Sequence, residues 1–249
     1  MIPKKIHYCW FGKGKKPRQA IRCIDSWKKN MPDYEIIEWN ENNYDVHKVP
    51  YIDQAYAAKK YAFVSDYARF DILYREGGVY FDTDVEVIKS FNDILEQGAF
   101  FGCEVDGSID DSGCSDGLIG APYSSFSIRI NPGLGMATEK GNQFYKEFLD
   151  MYEDMDFFKP DGSINSVAVV RNTTNLLCKF GLKDISGLQE ILGIYIYPSE
   201  YFNPLDSMTG EITMGSNTHS IHWYAMSWMN PLQRTKIMLG RIIRNLKMR

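Results

Sequence analysis

A chain of 249 residues with 44% hydrophobic and 24% charged side chains is long enough to bury a substantial core and too apolar for a disordered tract. A formal net charge of −4 argues against a general nucleic-acid binder, and no stretch approaches the roughly 20 apolar residues of a membrane span. Five cysteines (Cys9, Cys23, Cys103, Cys114 and Cys178), odd in number and without a C-x-x-C pair, argue against both a disulfide framework and a structural zinc site. The N-terminus enters a strand-like run without an apolar leader, so a cytoplasmic chain is expected. It is read as one domain over residues 1–230 with a helical tail over 231–249.

In chain order, Lys4 to Phe11 reads as a buried first strand, and Gly12 to Pro17 as a flexible basic loop without the spacing of a Walker-type phosphate loop. Trp10, at the strand's end, reads on its own as a packed core residue. Arg18 to Lys29 has the periodicity of an amphipathic helix with Ala20, Ile21, Ile24 and Trp27 inward, and Tyr34 to Trp39 follows as a second strand. From Ala62 a further helix carries Phe63, Ala68, Phe70, Ile72, Leu73 and Tyr74 at helical spacing, and Gly77-Gly78 supplies its positive-φ stop. Val79, Phe81, Thr83, Val85 and Val87 then alternate with Tyr80, Asp82, Asp84 and Glu86, which predicts a strand with the three carboxylates on one side. The order strand, helix, strand, helix, strand predicts an α/β fold with a mostly parallel, doubly wound sheet, ligands lying outside the carboxyl ends of its strands.

Two carboxylates at i and i+2 repel each other, and no Lys or Arg lies between Asp82 and Asp84. A divalent cation held by oxygen ligands relieves that repulsion, and Mg²⁺ or Mn²⁺ would keep positions open for a diphosphate. The alternative is a solvated edge strand whose acids discourage aggregation. Asp66 and Arg69, three apart on the preceding helix, share a face and on their own read as a surface ion pair.

Further along, Gly98 to Glu104 reads as a strand. The polar segment from Gly107 to Gly117 reads either as an acceptor loop or as a surface excursion. Gln143 to Tyr152 and Ser166 to Gly181 read as helices, and Ile194 to Pro198 as a strand. His219 and His222 are three apart on an extended segment, so they face opposite sides and do not chelate one ion together. No acid follows Glu211, while Arg234, Lys236, Arg241, Arg244, Lys247 and Arg249 do. With Ile237, Leu239, Ile242, Ile243 and Leu246 they describe a basic amphipathic helix, suited either to an anionic membrane surface or to packing on the domain.

The ordered set Ser65-Asp66-x-x-Arg69, Leu73-Tyr74-x-x-Gly77-Gly78-Val79-Tyr80-x-Asp82-x-Asp84 resembles the core motif of glycosyltransferase family 32, whose relatives include the glucosylating domains of large clostridial toxins. Ile2-Pro3-Lys4-x-Ile6-His7-x-x-Trp10-Phe11-Gly12 resembles the family's first strand and nucleotide loop, and His222-Trp223-x-x-x-Ser227-Trp228 its closing segment.

The resemblance implies a GT-A-type nucleotide-diphospho-sugar transferase fold with helical additions. It implies a retaining hexosyltransferase that uses a nucleotide sugar, a UDP-sugar first, with Mn²⁺ or Mg²⁺ held by Asp82, Asp84 and His222. It further implies that Trp10 stacks on the donor base and that Asp66 and Arg69 hold the donor sugar. Tyr80 would lie near the sugar or diphosphate, Asn131 would face the acceptor sugar, and Ser227 and Trp228 would close over the phosphates. The implied setting is capsular polysaccharide or lipopolysaccharide assembly on a glycan or lipid-linked acceptor; a place at the inner face of the membrane is the expectation that the basic tail adds. A glycoside hydrolase and a non-catalytic carbohydrate-binding protein are the alternatives. The first needs its two carboxylates on either side of the bond it cleaves, and the second needs no nucleotide pocket.

Overall fold

The computed structural model describes residues 1–107, 127–165, 169–207, 209–225 and 235. Strand β1 (Lys5–Cys9) lies between two parallel partners, β2 (Glu35–Trp39) and β3 (Gly78–Tyr80). The crossovers are helical, as parallel pairing requires: α1 (Arg18–Asn30) leads into β2, and α2 (Pro50–Ala57) with α3 (Tyr61–Glu76) leads into β3. Helix α1 buries Ala20, Cys23, Ile24 and Trp27. Ile21, expected inward, is 49% exposed, because it sits about 100° round the helix from Ala20 and off that stripe.

Beyond β3 the sheet becomes mixed. Strand β7 (Met136–Thr138) runs antiparallel between β3 and β5 (Ala99–Val105), β9 (Ile194–Tyr197) runs parallel to β5, and β8 (Gln189–Ile191) closes the edge antiparallel to β9. The order is β2-β1-β3-β7-β5-β9-β8, with the short β6 (Arg129–Ile130) beside β5. The α/β class is as expected, but most of the parallel pairing belongs to the N-terminal half. Leu192 and Gly193, at φ 54° and 74°, form a two-residue turn that can only return β9 antiparallel to β8.

Alternation along the strands sends side chains to two apolar layers. On one face Phe70 of α3 stacks on Phe148 of the helix Gln143–Asp150 at a centroid distance of 3.6 Å, over Phe101 and Tyr145. On the other, Trp27, Phe81, Phe91, Phe100 and Phe202 pack together.

The main departure from expectation is at Val79 to Val87, which is not one strand. Strand β3 ends at Tyr80, and Val85 N–H donates to Asp82 O at 3.0 Å to close a turn. The chain resumes as β4 (Val85–Val87), which pairs antiparallel with β10 (Ser220–His222) in a separate two-stranded sheet. Phe81, Val85 and Val87 are buried as the alternation demands, so the pattern marks burial correctly although the backbone bends. Glu86 stands outside the group that Asp82 and Asp84 form with His222 and pairs with Arg22.

The four described cysteines are buried and form no disulfide with one another. No helix among the described residues is long and apolar enough to cross a membrane. Cys114, the loop over 108–117 and the tail over 231–249, apart from residue 235, lie outside the described residues.

Candidate active site

The turn that interrupts the expected strand lies at the carboxyl end of β3, next to β1, where the strand order 2-1-3 reverses direction. Open α/β sheets hold ligands at such reversals. Helix α3 stops at Gly77, whose φ of 65° is followed by 104° at Gly78, and this left-handed pair redirects the chain into β3. His7 of β1 fixes the corner. Its Nε2 hydrogen bonds to Gly77 O at 3.0 Å, and its Nδ1 accepts from Trp39 Nε1 at 3.0 Å. Since an indole N–H only donates, His7 is the neutral tautomer with its proton on Nε2. Burial lowers its pKa to about 4.

Asp66 and Arg69 lie one turn apart on the face of α3 turned toward the site. The guanidinium is 2.9 Å from Asp66 and 3.2 Å from Asp82 Oδ1, with a second contact of 3.4 Å to Asp82 Oδ2. This is not a surface pair, because the Arg69 side chain is only 5% exposed. Tyr80 is buried, and its hydroxyl donates to Asp82 Oδ1 at 3.0 Å while the Arg69 guanidinium lies 5.0 Å over its ring. Burial raises the Asp66 pKa to about 6 despite Arg69. Burial also raises Asp82, and the neighbouring Asp84 adds to this against the pull of Arg69.

Asp84 ends the turn, immediately before β4 of the second sheet. Its Oδ1 is 3.2 Å from His222 Nε2, and its Oδ2 accepts from Ala225 N–H at 2.8 Å. Burial would raise Asp84, but His222 and the backbone donors overcome it and its pKa falls. For His222, burial pulls the pKa down and the Asp84 carboxylate pulls harder the other way, so the net shift is upward. Ligand atoms of Asp82, Asp84 and His222 all lie within 4.8 Å of one another. His219 points elsewhere, as its spacing from His222 predicts, and its Nε2 meets Asp93 at 2.9 Å.

Asn131 reaches the same place from β6. Its Oδ1 accepts from Gly133 N–H at 2.8 Å, and Gly133 O accepts from Asp82 N–H at 3.2 Å. A Cβ at Gly133 would stand 2.2 Å from Asp82 Oδ2, so only glycine allows this close approach. Asn131 Nδ2 also donates to Glu104 at 3.0 Å, which brings a further carboxylate from the end of β5. Glu104, Gly133 and the Ala225 amide were not legible as site groups; the placement of Glu104 at the end of a strand was the only available signal.

Trp10 follows β1 and is half-buried at the same end of the sheet. Its Nε1 donates to Gly14 O at 2.7 Å, and the Lys16 ammonium lies 5.8 Å from its ring. With Lys13, Glu38, Asn40 and Glu41 it lines a groove of about 230 Å³. A larger cleft of about 560 Å³, lined by Asp150, Asp154, Phe158 and Lys159, includes none of these residues. Ser227 and Trp228 lie outside the described residues.

Residues 17–101 match the family model described as the glycosyltransferase sugar-binding region containing DXD motif. That region includes Asp66, Arg69, Tyr80, Asp82 and Asp84, the last two being the aspartates of its D-x-D triplet. A curated relative, subversion of eukaryotic traffic protein A of Legionella pneumophila subsp. pneumophila, is 28% identical over 37% of this chain, which spans only 18% of that protein's length. Among solved structures, the PaToxG glycosyltransferase is similar at 22% identity and a TM-score of 0.41, covering 60% of this chain and 59% of its own. A glycosyltransferase involved in glycosylating the major capsid of PBCV-1 is 12% identical at a TM-score of 0.46, covering 94% and 98% of the two chains. The galactosyltransferase LgtC, solved with donor and acceptor sugar analogs, is 14% identical at 0.42 and covers 95% of each.

Proposed function

We propose that this protein transfers a hexose from a nucleotide sugar, a UDP-hexose first, to a glycan or lipid-linked acceptor in surface polysaccharide assembly. The anomeric configuration would be retained, and a divalent cation would be held by Asp82, Asp84 and His222. The observation that carries the reading is the convergence of these three side chains from two separate sheets. Two carboxylates and one imidazole suit Mn²⁺ better than Mg²⁺. His222 Nδ1, buried and without a hydrogen-bond partner among the described residues, also suits a site completed by a ligand. The donor nucleotide, the retention and the acceptor class follow the resemblance to family 32.

A bound cation would supply Lewis-acid stabilisation to the departing diphosphate. The remaining work falls to the chain itself. Arg69 neutralises Asp82 and Asp66 and holds their carboxylates in place, and Asp66 offers its outer oxygen to the hydroxyls of the donor sugar. Tyr80 orients Asp82, Trp10 offers an aromatic face to the base, and Asn131, held by Gly133 and Glu104, would face the acceptor sugar. Ser227 and Trp228 would close over the diphosphate, and the basic sequence of 231–249 favours an anionic membrane surface at the inner face.

A glycoside hydrolase would need carboxylates about 5–9.5 Å apart across the scissile bond, whereas Asp82 and Asp84 share one turn and converge with a histidine. A screen of nucleotide sugars with Mn²⁺, following release of free sugar and nucleoside diphosphate, tests the reading. We expect one donor to be cleaved, and cleavage to disappear with excess chelator and in Asp82→Asn/Asp84→Asn. Cleavage that survives both would overturn it.

A further inference from the structure

Strand β10 ends at His222, and the next three residues fold straight back over the acidic turn. Trp223 N–H donates to Asp84 O at 3.0 Å and Ala225 N–H to Asp84 Oδ2 at 2.8 Å. Between them Tyr224 sits at φ 49°, in the left-handed region that glycine and asparagine tolerate and a large side chain resists. Strained backbone of this kind persists where the surroundings impose it, and it gathers at functional sites. Lys13, Lys59 and Leu192 share the conformation, but only Tyr224 lies beside the cluster.

A glycine would make the same turn with less strain, so the ring itself needs an explanation. The Tyr224 ring lies 4.3 Å from the His222 ring, centroid to centroid, at an interplanar angle of 66°. Metal-bound histidines usually have their second ring nitrogen held by an acceptor that fixes the ring plane. His222 faces Asp84 through Nε2, and among the described residues its buried Nδ1 has no such partner. The edge-to-face contact of Tyr224 supplies by packing the orientation that a hydrogen bond would otherwise give.

We propose that Tyr224 is a positioning residue of the cation site: its left-handed turn brings the Ala225 amide onto one Asp84 oxygen, and its ring sets the plane of the His222 imidazole. The inference rests on the metal reading given above. It adds a residue that makes no contact with the ion and separates the two carboxylates by role. Asp82 is held by side chains of the main sheet and α3, Asp84 by the segment that Tyr224 bends.

The test uses the full chain, Mn²⁺ alone and two readouts: free Mn²⁺ by electron paramagnetic resonance, and the melting temperature without metal. Tyr224→Gly relaxes the backbone while deleting the ring. Its melting temperature should be unchanged or higher, while its Kd for Mn²⁺ rises about tenfold. Tyr224→Phe keeps the ring and should hold the Kd within about twofold. Should the glycine variant not fold, Tyr224→Asn, which also accepts the left-handed conformation, takes its place with the same expectation. Wild-type affinity in Tyr224→Gly overturns the proposal, as does an equal loss in Tyr224→Phe. Wild-type protein that binds no Mn²⁺ removes the metal reading itself, and the first titration separates that failure from the others.

Discussion

The two carboxylates of the acidic turn are held in opposite ways. Asp82 is fixed by the long helix α3 and the central sheet through Arg69, Tyr80 and the Gly133 backbone, all deeply buried. Asp84 is fixed by a two-stranded sheet packed on α1 and by three residues of the chain beyond it. The difference separates a pre-formed half of the site, suited to gripping a sugar, from a half whose geometry depends on a short closing segment. Breaking the rigid half should therefore cost the whole fold. Arg69→Ala would leave the partly buried Asp66 and Asp82 without their cation, a loss of at most about 3–5 kcal/mol, or roughly 6–20 °C in melting temperature. Calorimetry reads this directly, and a variant that melts like the wild type would show that the rigid half is not built on this arginine.

The root of the rigid half is also sensitive to acid. His7 is neutral in the fold, with its pKa lowered to about 4 by burial, whereas an unfolded histidine titrates near 6.5. Between those values the unfolded chain takes up the proton and the folded chain does not, so stability is fully present above about pH 6.5 and is lost progressively as pH falls toward 4. The loss from this residue should reach about 3 kcal/mol at the lower end. Denaturant melts at stepwise pH check it against His7→Gln, which lacks the titrating group and should show a shallower decline over that interval. Because His7 holds the Gly77 carbonyl, amides of Gly78 to Asp82 should lose exchange protection along with the decline.

Much of this division was legible in the sequence and part was not, for physical reasons. The β1-α1-β2-α3-β3 order and the Gly77-Gly78 stop are local patterns, and they positioned Asp66, Arg69, Asp82 and Asp84 at one sheet end. The break after Tyr80 was not visible. Alternation of Phe81, Thr83, Val85 and Val87 records which side chains are buried, and a turn that exchanges one sheet for another preserves that record. Arg69 read as a surface partner because a spacing of three along a helix says nothing about which face meets the core. The charge that relieves Asp82 lies 13 residues back in the chain, and the one that relieves Asp84 lies 138 residues ahead. Absence of a cation between them in sequence was thus no guide to their environment. Glu104 and Gly133 enter through pairing of β5, β6 and β7, which no local signal encodes.

The smallest effect sharpens the comparison most, because it touches only the closing half. Arg22 of α1 reaches Glu86 at 3.0 Å and lies 5.2 Å over the Trp223 ring, while Trp223 Nε1 donates to the same Glu86 oxygen at 2.8 Å. The Arg22 side chain is 60% exposed, so its ion pair and ring contact are screened and Arg22→Ala should cost less than about 1 kcal/mol. Its consequence should be local. Hydrogen exchange should quicken at the amides of Trp223 and Ala225, which rest on Asp84, and stay unchanged at Asp82, whose amide rests on Gly133. If Asp82 quickens equally, the two carboxylates belong to one cooperative unit, and the contrast between a rigid and a conditional half is lost.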